Sequence, residues 1–101
     1  MQIHIETEDQ LERERIIQRL LYSLNARRED IDSIRLSLRP VHDALGAQLY
    51  RCQLQATLRD RSVIEQDETL SNGDLAVSRA LERCARTAQR RLFRPEQRRI
   101  I

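Results

Sequence analysis

Hydrophobic and polar residues follow two periods along this chain, and each switch between them marks a new element. Ile3 and Ile5 stand between polar neighbours over Gln2 to Glu6, the two-residue period of a short strand with one buried face. Thr7-Glu8-Asp9-Gln10 then has the form of a capping box, with Thr7 serving a free amide three residues on and Gln10 reaching back. The period lengthens after it: Ile16, Ile17, Leu20, Leu21 and Leu24 make one apolar stripe, predicting a helix that stops between Asn25 and Arg28. Alternation returns at Ser33 to Arg39, with Ile34, Leu36 and Leu38 facing inward. Pro40 to Ala47 carries Pro, Asp and Gly without a period and reads as a loop. Leu49 to Arg59 is the longest predicted strand, with Tyr50, Cys52, Leu54, Ala56 and Leu58 on its inner face. After a tight turn at Asp60 and Arg61, Val63 to Glu68 is a weaker, acidic strand suited to a sheet edge.

Leu70 to Asp74 reads as a turn with Ser71 as the cap of a second helix, predicted over Gly73 to Arg94. Pro95 disfavours continuation, so 95–101 is expected to be a frayed or disordered basic tail. The order is therefore β-α-β-β-β-α. Each strand has one polar face and each helix one apolar face, which predicts an α+β two-layer sandwich: a single domain over 1–94, its four-stranded sheet covered by both helices on one side and open to solvent on the other.

The second helix has an unusual polar side. At about 100° per residue, Arg79, Arg83, Arg86, Arg90 and Arg94 fall within an arc of roughly 80°, with Arg91 at its edge. Val77, Leu81, Cys84, Ala85, Ala88 and Leu92 gather opposite, as on a helix lying on a core. Like charges at these spacings oppose helix formation by roughly 0.2–0.5 kcal/mol per pair, so the stripe does not serve stability. A polyanionic partner accounts for it.

Charge along the rest of the chain sharpens this picture. The formal net charge of +2 conceals net −3 over residues 1–34 and net +6 over residues 79–101. Every basic residue is arginine, a bias that GC-rich coding accounts for, although guanidinium also grips phosphate in a planar, bidentate way. The isolated Cys52 and Cys84 sit at apolar positions and are expected to be reduced core thiols. With His4 and His42 they make no metal-ligand spacing, and no cofactor is expected. The chain has no Gly-rich phosphate loop and no nucleophile motif, so it is not read as an enzyme, and no small-molecule substrate is expected. His4 and His42 read as solvated. With only Tyr22, Tyr50 and Phe93 as aromatics, base stacking on the open sheet face is disfavoured. Neither a bilayer-spanning run nor a secretory signal is present, which predicts a cytoplasmic protein with no membrane partner.

The topology, the opening Met1-Gln2-Ile3-His4-Ile5, the acidic turn into Asp74-Leu75-Ala76-Val77 and the amphipathic run Ala80 to Leu92 resemble the ribosome hibernation-promoting factor family, also called sigma-54 modulation protein or ribosome-associated inhibitor, in its short form. The resemblance covers roughly 1–94. It implies a fold similar to double-stranded RNA-binding domains and binding in the channel of the small ribosomal subunit, which blocks translation in resting cells. The RNA-binding residues expected on this reading are Arg79, Arg83, Arg86, Arg90, Arg91 and Arg94, helped by Arg27 and Arg28, with small-subunit rRNA as partner. A second reading is a protein-interaction module whose stripe meets an acidic partner or the acidic first helix of another copy, giving a homodimer. The third is a stripe that is merely solvated.

Overall fold

The computed structural model describes the backbone of residues 1–99 and the side chains of residues 1–91. Its elements are β1 (Gln2–Glu6), α1 (Gln10–Leu24), a 3-10 turn (Asn25–Arg27), β2 (Ile31–His42), β3 (Gln48–Leu58), β4 (Val63–Leu70) and α2 (Gly73–Arg99). The sheet order is β1-β2-β3-β4; β1 is parallel to β2 and the remaining pairs are antiparallel. Parallel neighbours need a long crossover, and α1 supplies it. The α+β architecture expected from the sequence is the one observed, with weak, acidic β4 on an edge.

A single core joins the layers. Ile34, Leu36, Leu54, Ala56, Leu58 and Ile64 of the sheet are buried together with Ile16, Leu20 and Leu24 of α1 and Val77, Leu81 and Cys84 of α2. Cys52 and Cys84 are free thiols in this core, as expected. Both helices begin at the end of the sheet where β2 turns into β3, and they run side by side. There the ring of half-buried Tyr50 lies under the start of α2, where a Cβ on Gly73 would stand 3.4 Å from Tyr50 Cγ and 3.5 Å from Leu38 Cδ2. A side chain larger than a methyl would have to displace one of them.

The boundaries differ from expectation for local reasons. β2 begins two residues early because Ile31 pairs with Leu58 while Ser33 pairs with Thr57, leaving Asp32 as an extra residue. This bulge resets the phase, so Ile31 and Ile34 both point inward despite their odd separation. β2 also runs on through Pro40 to His42, beyond the last residue paired with β1, where its other edge is open and a missing amide hydrogen costs no ladder bond. The loop shrinks to a turn in which Asp43 Oδ1 accepts from the amides of Leu45 and Ala47.

Both helix caps are corrected. Asp9, not Thr7, caps α1, its carboxylate accepting from Leu11 N at 3.0 Å, and the Thr7 hydroxyl donates instead to Glu12. Asn72, not Ser71, caps α2, accepting from Leu75 N at 3.1 Å. In each case the helix starts later than the first eligible side chain, and the cap follows the start. The bounds of α2 pass the stop expected at Arg94; proline removes one intrahelical donor without by itself ending an element. Of the expected frayed tail, 95–101, residues 95–99 fall within the bounds of α2, and 100–101 lie outside the described residues.

Candidate nucleic-acid interface

The phase of α2 is fixed by its small and apolar residues. Ala76, Val77, Ala80, Leu81, Cys84 and Ala88 are buried against the sheet and α1, so the opposite side of the helix is left to solvent. Arg79, Arg83, Arg86, Arg90 and Arg91 are all exposed, but the structure divides them. Arg79, Arg86 and Arg90 lie within about 40° of one another on a helical projection, over a rise of roughly 16 Å. None of the three has an ion-pair or hydrogen-bond partner among the described residues.

The other two turn toward the β4 edge. Arg91 Nη1 donates to the Val63 carbonyl at 3.0 Å. Arg83 Nη1 stands 3.0 Å from Glu68 Oε1. Glu68 lies on the inward face of β4, across from Cys52, and at 9% exposure it is the charged residue of the buried set. The contact is ionic and poorly aligned, leaving Oε1 without a hydrogen bond among the described residues. Sequence reasoning passed over Glu68. The signal was the two-residue period from Ile64 through Gln66, which carries Glu68 to the inner face under an arginine helix.

A sixth arginine was also missed. Arg19 of α1 donates from Nη1 to the Asp74 carbonyl at 3.0 Å and to Ser78 Oγ at 2.7 Å, clipping α1 to the first turns of α2. Arg27 and Arg28 are not joined to the row. Arg27 is half-buried in the 3-10 turn, while Arg28 is exposed beside a shallow depression lined by Glu29, Asp30, Asp32 and Arg59, without a residue of α2. The side chain of Arg94 lies outside the described residues. Exposed Glu82 sits on the α1 side of the row, so the row is basic but bounded.

The open face of the sheet is polar and partly paired within itself. Arg51 makes two contacts to Asp67, at 3.0 and 2.6 Å, and Arg39 donates to Gln53 Oε1 at 3.2 Å. The hydrogen bond from Arg51 holds the Asp67 carboxyl below the usual carboxylate value. His4 pairs with Glu6 at 3.2 Å, both exposed, as expected of a solvated histidine. A shallow depression of about 540 Å³ crosses this face, lined by Glu6, Arg35, Ser37, Gln53, Gln55 and Glu65 and carrying both signs of charge. Among the described residues no group of His, Cys, Asp and Glu is arranged to hold a metal ion. No described helix is long and apolar enough to cross a membrane.

With this geometry in place, comparison with solved structures gives a clear likeness. The chain is similar to the N-terminal domain of Protein Y from Thermus thermophilus, with a TM-score of 0.66 over 89% of this chain and 98% of that one, at 16% identity. At that identity the likeness is one of fold. No protein-family profile matches the chain, and no curated protein matches it.

Proposed function

We propose that this chain is a non-enzymatic, ribosome-associated RNA-binding protein of the cytoplasm, which lays α2 along phosphates of small-subunit rRNA and so modulates translation in resting cells. The observation that carries this reading is the row Arg79, Arg86 and Arg90: three exposed guanidinium groups on one line of a helix, without an ionic partner among the described residues. Such a row is costly to the helix and suits a string of phosphates. The fold likeness to a Protein Y domain is consistent with the family resemblance of the sequence, and that resemblance is what supports the ribosome as the setting. Phosphate contacts of this kind position the protein without reading sequence. Arg91, Arg94, Arg27 and Arg28 are secondary in this reading, as flanks of the row.

Titration with a structured small-subunit rRNA fragment tests it. Three arginine-phosphate contacts give a log-log salt slope of about −2 to −3. The triple variant Arg79→Glu, Arg86→Glu, Arg90→Glu is expected to lose at least about tenfold in affinity and to leave the small-subunit fractions of stationary cells. Binding untouched by the reversal would sink the reading. The exposed carboxylates Glu8 and Asp9 just before α1, and Glu14 within it, favour one competitor, docking of the row on an acidic surface or on another copy. Sedimentation separates them: a salt-sensitive homodimer indifferent to RNA supports the competitor.

A further inference from the structure

The pairing of Glu68 with Arg83 bears on the row itself. Arg83 has the right phase on α2 to stand between Arg79 and Arg86, and with it the row would be unbroken at steps of three and four residues. Its guanidinium instead leans toward the sheet edge to meet a carboxylate whose side chain is 11% exposed, while its own is 58% exposed. The arginine has ample solvent within reach, and the carboxylate has little. Drawing Arg83 away would leave Glu68 charged, buried and unpaired, which is the costly way to break such a pair. The structure thus leaves a gap of about 10 Å between Arg79 and Arg86, followed by a step of about 6 Å to Arg90.

We infer that Glu68 is a positioning residue that withholds Arg83 from the row, limiting the number and setting the spacing of the phosphates α2 engages. It acts through Arg83 and touches no ligand. The inference rests on the reading of α2 as a phosphate-binding helix, and it concerns which anions that helix prefers: separated phosphate groups over a dense, continuous run. The carboxylate serves as an internal competitor for one of the helix's own cations. A ligand that recruits Arg83 must first outbid Glu68.

The test is a double-mutant cycle on the full chain with Glu68→Gln, Arg83→Gln and both together, using inorganic polyphosphate as one probe and a short RNA duplex as the other. Glu68→Gln keeps the shape of the side chain and removes its charge. It is expected to tighten polyphosphate binding on the order of 5–10-fold at about 50 mM salt and to steepen the salt slope by close to one contact. Arg83→Gln alone is expected to leave affinity and slope unchanged while lowering the thermal midpoint. In the Arg83→Gln background, the gain from Glu68→Gln should vanish. If the gain survives there, Glu68 acts only through its field and the inference is wrong; it is equally wrong if Glu68→Gln folds and binds like the parent. Should Glu68→Gln fold poorly, the nitrogen and proton signals of the Arg83 guanidinium in the parent protein decide. Polyphosphate that shifts Arg79, Arg86 and Arg90 but leaves Arg83 in place supports the inference, and a shift of all four overturns it. Failure of the duplex to bind, with the polyphosphate cycle as expected, removes RNA as partner and leaves the role of Glu68 standing.

Discussion

Cys52 and Cys84 show how completely residue chemistry here is set by burial. Neither is accessible to solvent, and burial pushes their thiols up to about 12 and about 11. Since the thiolate is the reactive form, neither is expected to react with a soluble alkylating reagent at pH 8 until the chain unfolds, when both should label together. Mass spectrometry across a denaturant series checks this, and early labelling of one thiol would mean that the core opens locally. Asp67 offers the opposite case at the surface. Its folded value is lowered by the hydrogen bond from Arg51, so the stability it contributes is present above the unfolded value of about 3.8 and is lost as pH falls through the folded one. The pair is solvent-screened, so the effect is small. Asp67→Asn is expected to flatten the acid limb of a pH–stability curve by lowering the neutral plateau slightly, leaving the strongly acid end, where the parent carboxyl is already protonated, nearly unchanged.

At the scale of elements, the turn between β3 and β4 is tied by Asp60 Oδ1, which accepts from Ser62 N at 2.9 Å and Ser62 Oγ at 2.6 Å. Arg61 takes φ 73 there, in the left-handed region. Arg61→Gly is expected to raise stability by up to about 1 kcal/mol, and Arg61→Val to lower it, measured by denaturant midpoints. All six elements were legible in the sequence because each has one buried face, and a buried face writes a period of two or of 3.6. What the period does not carry was missed. The bulge at Asp32 hides the start of β2 by shifting the phase, and Pro40 looks like a breaker until the end of β1 leaves its edge free. The caps were misplaced because Thr7, Asp9, Ser71 and Asn72 can all cap, and packing decides which helix turn comes first. In the same way, the arginine stripe could be read from spacing alone. Its division by Glu68 and Val63 depends on strands that meet α2 only in three dimensions.

The whole molecule has one polar, partly paired face and one helical face on which the cations of α2 run beside the less basic α1. An RNA partner would approach the helical layer and leave the open sheet outward, a surface that offers no aromatic platform among its described residues. Connectivity also divides the molecule. The strands β2, β3 and β4 form a meander of neighbours in sequence with α2 directly after it, whereas β1 has only five residues, pairs with β2 alone, and does so across the whole of α1. Chain-closure entropy is thus settled early for the meander and late for β1. Hydrogen exchange is expected to find the amides of β1 released at lower free energy than those of β3, with equal protection as the result against it. Arg19, through its hold on Asp74 and Ser78, then becomes the tether that couples the two parts. On the proposed reading, the helix that would face phosphates belongs to the part of the chain expected to assemble first. Release of β1 alone would leave the packing of α2 on β3, β4 and α1 in place, so on that reading the arginine row keeps its footing when the short edge strand opens.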